Sequence, residues 1–110
     1  MVGIDLRSGP RYPTGLAVMG LDRRLRRLEV VRTDEAIGAA IEWARPRLVC
    51  IDAPLALPAG RCCADATCAC ASAGISRAVD RFCAAAGYRP FPTLLPSMVG
   101  LTLRGIALAA

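Results

Sequence analysis

The sequence predicts an α/β fold built on a mixed β-sheet with the strand order 3-2-1-4. Three observations lead to this prediction: short strand-like segments joined by turns open the chain, one amphipathic helix follows them, and an apolar run comes after that helix. Short turns join antiparallel neighbours, whereas a helical crossover returns the chain to a parallel neighbour. The simplest arrangement therefore places the fourth strand beside the first.

The opening third of the chain is expected to form an antiparallel meander. Its strands cover about 2–6, 14–20 and 25–31. The turn-rich residues 7–13 separate the first two strands, and residues 20–23 form a tight turn before the third. In the third strand Leu28 and Val30 alternate with Arg27, Glu29 and Val31, which is typical of a half-exposed strand.

A helix is expected to begin after Thr33, a good N-cap residue, and to end before Pro46. One face of this helix carries Ile37, Ala40, Ile41 and Ala44. The next run, 47–52, is apolar on both faces, as in a strand covered on both sides. Cys50 within it is therefore expected in the core.

After this strand a loop is expected at 53–60, followed by a Cys-rich insertion at about 60–74. A helix should cover about 76–86, with Ser76 near its cap. An extended passage rich in proline follows, and a last helix should start near Ser97. We expect one domain, 1–110, because its length suits a single core. Since no closing strand follows, we expect a fold that is incomplete at its C-terminal end.

Composition narrows the possible chemistry. All fourteen basic residues are Arg, and the net charge of +5 favours an anionic partner such as nucleic acid. The base composition of the coding sequence is an alternative cause of the Arg usage. Without His, the Ser-His and Cys-His nucleophile pairs are excluded. No apolar run reaches the ~20 residues of a membrane span, so we expect a cytoplasmic protein with reduced or metal-bound cysteines.

Two aspartates, Asp5 and Asp52, each follow a short apolar run that should be a strand. If these strands are neighbours, the carboxylates lie roughly 5 Å apart, the spacing of paired strands. Two such carboxylates can hold Mg²⁺ or Mn²⁺ for phosphodiester hydrolysis. Arg7, two residues beyond Asp5, could then contact a phosphate. The alternative is that both aspartates only cap loops.

Four cysteines lie within nine residues of the insertion: Cys62, Cys63, Cys68 and Cys70. Thiolate clusters bind Zn²⁺ or iron–sulfur centres. The Cys-x-x-C pair is absent, and the spacing is poor for a tetrahedral site unless Cys83 joins. The alternative is disulfide formation or the packing of free thiols in a loop.

Several segments, in order along the chain, together resemble one known family. They are Gly3-Ile4-Asp5, Ile51-Asp52-Ala53-Pro54-Leu55 with Leu57-Pro58, Arg77-Ala78-Val79-Asp80-Arg81, and Leu95-Pro96-Ser97-Met98 with Leu101-Thr102-Leu103-Arg104-Gly105. The chain resembles the family of unknown function 429, described as predicted nucleases with an RNase H-like fold. The resemblance implies a three-layer α/β fold, metal-dependent hydrolase activity and a nucleic acid substrate.

Within the resembling segments, Asp80 is the candidate third catalytic carboxylate, since it shares a helix face with Arg77. The alternative is an ordinary surface ion pair with Arg77 or Arg81. Arg77 and Arg104 are candidate substrate-binding residues, although Arg104 could simply be solvated. Two other functions stay open: a nucleotide-binding module related to actin-like ATPases, and a non-catalytic Cys-cluster interaction domain. The oligomeric state is also open.

Overall fold

Four strands form a mixed sheet in the first half of the chain. They are β1 (Val2–Asp5), β2 (Thr14–Met19), β3 (Leu25–Val31) and β4 (Val49–Ile51). The order is β3-β2-β1-β4: β2 pairs antiparallel with both β1 and β3, and β4 pairs parallel with β1. The predicted mixed α/β fold and its strand order are therefore confirmed.

The computed structural model describes residues 1–110, and the chain divides into two units, Met1–Ala53 and Pro54–Ala110. The first unit contains the sheet and α1 (Asp34–Ala44). The second contains a short 3-10 helix (Ala69–Ala73), α2 (Ala78–Ala85) and α3 (Val99–Ala109). None of the helices is long and apolar enough to cross a membrane.

The ends of α1 follow the sequence signals. The Thr33 hydroxyl accepts a hydrogen bond from the backbone N–H of Ala36 at 3.2 Å, which satisfies one of the free N–H groups of the first turn. The helix ends at Arg45, whose left-handed backbone precedes Pro46. Ile37 and Ala40 are buried, so the predicted apolar face is the packing face.

That face of α1 covers one side of the sheet. Val2, Ile4, Leu16 and Val18 are buried and share this side, because Val2 pairs with Val18 and Ile4 with Leu16. Arg27 lies opposite Val18, and its guanidinium stacks over the ring of Trp43 in α1, 5.3 Å from the centroid. The first unit by itself therefore has two layers, and the three-layer arrangement stays a prediction.

The other side of the sheet corrects one sequence-based expectation and shows which face of β3 is exposed. Cys50 was expected in the core of a strand covered on both sides, yet it is exposed. In β3, predicted as a half-exposed strand, the apolar residues Leu28 and Val30 lie on the exposed side, at 71% and 69% exposure. Alternation shows that two faces differ, but the helix position decides which face is covered, and α1 lies on the side of Arg27.

The second unit is organised by turns and polar contacts. Its α2 begins at Ala78, two residues later than expected, and ends before Gly87, whose φ of +90° suits glycine. The predicted extended passage through the prolines is wrong in part, because residues 93–98 form turns before α3. Leu94 lies in its buried core, together with polar side chains: Arg61, Asp80, Thr93, Thr102 and Arg104.

Candidate functional site

The two strand-end aspartates come together as the sequence analysis predicts. Ile4 and Ile51 are direct partners in the parallel pair of β1 and β4, and the backbone N–H of Asp52 donates to the carbonyl oxygen of Ile4 at 2.8 Å. Asp5 ends β1 and Asp52 directly follows β4, so the backbones of these two residues are adjacent at the same edge of the sheet, about one strand spacing (~4.8 Å) apart. Both are exposed to solvent.

Small residues surround Asp5 on its side of the sheet. Gly15 is its direct partner on β2, and a Cβ at this position would lie 3.6 Å from the Asp5 Cβ, an ordinary van der Waals distance. Gly3 pairs with Ala17, so the neighbouring position is also small. Because glycine leaves the backbone accessible, another molecule can approach this side of the sheet closely. At these positions the sheet surface beside the two carboxylates is therefore free of large side chains.

Asp80 is held in a different way, within the second unit. Its carboxylate accepts hydrogen bonds from the Arg77 backbone N–H at 2.8 Å, from Arg77 Nη2 at 2.9 Å and from Thr93 Oγ1 at 2.6 Å. Only 7% of the side chain is exposed. Burial raises the pKa of Asp80, but the bonds from Arg77 and Thr93 outweigh it and lower this pKa to about 2. The ion-pair alternative is right about the partner, Arg77, but the Asp80 carboxylate is buried rather than at the surface.

The candidate substrate-binding arginines differ in their surroundings. Arg7 is exposed, and its backbone N–H donates to Thr14 Oγ1 at 3.2 Å, which ties the turn after β1 to β2. Arg77 forms an ion pair with Asp80, with Nη2 of Arg77 2.9 Å from Oδ1 of Asp80. The suggestion that Arg104 is solvated is wrong: it is 8% exposed, within α3. A phosphate-binding role for each of these residues stays a prediction.

The four cysteines of the insertion form one cluster. The Sγ atoms of Cys62, Cys63, Cys68 and Cys70 all lie within 4.8 Å of one another. Two distances are shorter: Cys62 to Cys68 at 3.8 Å, and Cys63 to Cys70 at 3.7 Å. All six cysteines of the chain are free thiols. The four candidate ligands are therefore close enough to hold a metal ion, and they meet without Cys83, although their spacing in the sequence looked poor for a tetrahedral site unless Cys83 joined.

Arg61 shapes the loop that brings these thiols together. Its side chain is buried, and it donates from Nε to the carbonyl oxygen of Cys63 and from Nη2 to that of Asp65, both at 3.0 Å. The Asp65 carboxylate in turn accepts from the backbone N–H and the hydroxyl of Thr67, both at 2.8 Å. These bonds turn the chain between the two halves of the cluster.

The ends of the Cys-rich segment also meet. Gly60 has a φ of +87°, a backbone conformation that residues other than glycine rarely adopt. A Cβ at this position would also lie 2.9 Å from the Cβ of Ala73. The segment therefore leaves and returns at nearly the same place, as a compact surface loop does. Both the left-handed backbone and the close approach require glycine at this position.

Hydrogen bonds divide the protons unevenly among the thiols. Bonding from the backbone of Cys62 lowers the pKa of Cys70 to about 6, although desolvation opposes this. Bonds to Cys70 and to Cys68 raise the pKa of Cys62 to about 12. Cys70 therefore loses its proton more readily than Cys62 does.

Sequence reasoning missed three residues that organise the second unit. Thr93 and Thr102 are fully buried, and the Thr102 hydroxyl donates to the Thr93 carbonyl oxygen at 2.7 Å. Arg61 is the third, and its guanidinium donates to the carbonyl oxygens of Cys63 and Asp65. Isolated threonines and arginines carry no periodic signal, so their partners become visible only in three dimensions.

A cleft of about 240 Å³ lies at the other end of the sheet from Asp5. Its lining includes Met1, Met19, Arg45 and Arg47, and it contains neither an acidic residue nor a cysteine. Because Met1 precedes the first residue of β1 and Asp5 ends that strand, the cleft is separate from the carboxylate pair. It therefore belongs to neither candidate site.

The fold and these sites define a mixed α/β protein with a paired-carboxylate edge and a four-cysteine cluster able to hold a metal ion. No protein-family model matches the chain, and neither the curated proteins nor the solved structures compared with it contain a significant match.

Proposed function

We propose that the protein is a nuclease of the RNase H-like class that hydrolyses phosphodiesters with carboxylate-bound Mg²⁺ or Mn²⁺. One observation carries the proposal: Asp5 and Asp52 end adjacent parallel strands and are both exposed at the same sheet edge. Function inferred from a site rests on its geometry rather than on the fold alone. The resemblance of the Asp5 and Asp52 segments to the predicted nucleases points the same way.

The donor set suits such an ion. Carboxylate oxygens are hard ligands, which Mg²⁺ and Mn²⁺ prefer over sulfur or nitrogen. When bound, the ion polarises the phosphodiester and favours ionisation of the attacking water, which removes any need for His. The strand backbone holds each aspartate by sheet hydrogen bonds, so their spacing is set before any ion or substrate arrives.

The substrate in this proposal is a nucleic acid. The net charge of +5 attracts a polyanion, and Arg7 lies two residues beyond Asp5. We propose Arg77 and Arg104 as further contacts and Asp80 as a third carboxylate. Support for Asp80 is the weakest of these, because Arg77 and Thr93 occupy both of its oxygens.

The test is cleavage of end-labelled DNA, RNA and hybrid oligonucleotides in Mg²⁺, Mn²⁺ and EDTA. We expect metal-dependent products from the wild-type protein and none from Asp5→Asn or Asp52→Asn. Glu42→Gln is the matched control, since it removes an exposed carboxylate of α1 instead. Equal cleavage by all three variants would overturn the proposal. Stabilisation by ATP without cleavage would favour the nucleotide-binding alternative.

A second candidate function is a non-catalytic metal-binding interaction domain, favoured by the close approach of the four thiols. The metal here would be Zn²⁺ or an iron–sulfur centre, because thiolates select these over Mg²⁺. A protein that unfolds on chelation but cleaves no oligonucleotide would support this candidate. A chain that cleaves oligonucleotides would exclude it as the sole function.

A further inference from the structure

We infer that Cys62, Cys63, Cys68 and Cys70 bind a single Zn²⁺ ion tetrahedrally and that this ion is the structural centre of the second unit. The inference concerns a site in residues 54–110 and is independent of Asp5 and Asp52. It can therefore hold whether or not the protein cleaves nucleic acid.

The sulfur spacing fits one shared zinc ion. A Zn–S bond of ~2.3 Å in a tetrahedron places neighbouring sulfurs about 3.8 Å apart. The observed Sγ distances are 3.8 Å for Cys62 and Cys68 and 3.7 Å for Cys63 and Cys70. The remaining distances stay within 4.8 Å, so a small contraction around the ion completes the tetrahedron.

The same spacing argues against an iron–sulfur cluster. In such clusters the thiolates bind different iron atoms and are spread around a polynuclear core, rather than converging on one point. Here the four Sγ atoms already converge within 4.8 Å. A site with four protein thiolates is also closed, and closed four-coordinate sites are structural rather than catalytic.

The surroundings of the cluster suit a thiolate-bound ion. Four thiolates around one divalent cation carry a net negative charge, and the buried guanidinium of Arg61 lies against the backbone of Cys63. Arg61 also fixes the carbonyl oxygen of Asp65, so one side chain positions both halves of the loop. Such outer contacts commonly orient metal ligands and tune their affinity.

The second unit has a physical need for such an ion. The second unit spans residues 54–110, and because an apolar core of this size supplies only modest stability, units of this length often add a metal or disulfides. Here Phe82 and Phe91 are 73% and 70% exposed, whereas charged and hydroxyl side chains are buried. Since an unfolded chain offers no preformed site, binding energy at the four thiols becomes folding energy.

The first experiment measures metal content and coordination on the full chain. Protein purified under reducing conditions should contain one zinc per chain by elemental analysis. Co²⁺ added to the metal-free wild type should produce the intense visible absorption of tetrahedral cobalt with a thiolate charge-transfer band. Absence of zinc, together with octahedral cobalt spectra, would overturn the inference.

Cysteine variants then identify the ligands. Cys62→Ser and Cys70→Ser should each weaken Co²⁺ binding at least tenfold, whereas Cys50→Ser and Cys83→Ser, outside the cluster, should bind as the wild type does. If Cys83→Ser lowers affinity as much as Cys62→Ser, the proposed ligand set is wrong.

Thiol reactivity gives a readout on the wild-type protein that does not depend on the folding of any variant. Six thiols are free in the chain and four of them form the cluster. The zinc-loaded protein should therefore expose only Cys50 and Cys83 to a thiol reagent, and a chelator should release the other four. Rapid reaction of all six thiols in the loaded protein would contradict the site.

Discussion

The hydroxyl of Thr93 donates a 2.6 Å hydrogen bond to Oδ2 of Asp80, and the Thr93 side chain is fully buried. The Thr93 carbonyl oxygen accepts from Thr102 Oγ1 at 2.7 Å. Thr93 therefore connects the first turn of α2 to α3 through two short bonds. Buried hydrogen bonds therefore hold the elements of the second unit together, whereas apolar packing does so in the sheet of the first unit.

Thr93→Val should destabilise the protein, because it keeps the shape of the side chain but removes the donor to Asp80. Leaving a buried carboxylate oxygen without this partner is expected to cost about 1–3 kcal/mol in the free energy of unfolding. Urea unfolding followed by circular dichroism measures the change. Ser97→Ala, which removes an exposed hydroxyl before α3, is the control, and an equal effect of both changes would contradict the role of Thr93.

Asp80 predicts a pH dependence of stability. Hydrogen bonds outweigh burial and lower its pKa from 3.8 to about 2, so the folded state favours the ionised carboxylate. The resulting stabilisation is present above pH 4 and is lost as the pH falls toward 2. A shift of this size corresponds to about 2 kcal/mol.

The measurement compares the wild-type protein with Asp80→Asn by urea unfolding between pH 6 and pH 2. The difference in unfolding free energy should shrink as the pH falls. Protonation of the thiols affects both proteins alike, so the difference isolates Asp80. A difference that stays constant over this range would show that the carboxylate charge contributes nothing.

Arg61→Lys should weaken zinc retention although it preserves the charge. The guanidinium bonds two carbonyl oxygens, those of Cys63 and Asp65, and an ammonium group cannot reproduce this planar geometry. We expect a tenfold to hundredfold loss of affinity, as for other changes beside metal ligands, in competition with a chromogenic chelator. Arg89→Lys, on an exposed segment, is the control. Unchanged affinity would leave Arg61 with a packing role only.

Asp5→Asn should remove binding of Mn²⁺ at the sheet edge even before activity is measured. Each carboxylate supplies a charged oxygen ligand, and an amide supplies only a neutral one. Mn²⁺ titration followed by electron paramagnetic resonance should show at least tenfold weaker binding for Asp5→Asn and for Asp52→Asn. Glu42→Gln should bind as the wild type does. The four cluster cysteines stay intact in these variants, so zinc content should not change.

Local sequence patterns predicted the topology of the sheet. Short turns and one helical crossover were enough to predict the order β3-β2-β1-β4 and the side-by-side placement of Asp5 and Asp52. Connection length and crossover handedness restrict the neighbours of a strand before any packing is known. The N-cap at Thr33 is equally local, since the bond spans three residues.

The exposure of Cys50, Leu28 and Val30 could not be predicted in this way. A strand pattern separates two faces, but only the position of α1 decides which face loses contact with water. The cysteine cluster likewise depends on a side chain outside the cysteine spacing, because Arg61 turns the loop so that four thiols meet.

The amino-acid sequence alone determined the order of the elements and the strand neighbours, and its lack of His excluded the Ser-His and Cys-His nucleophile pairs. The tertiary structure decided which groups are buried and which side chains converge: Asp80 with Thr93, and four thiols without Cys83. The physical reason is the separation along the sequence over which each interaction acts. Turns, caps and periodicity act over a few neighbouring residues, whereas burial and hydrogen-bond partners depend on segments far apart in the chain.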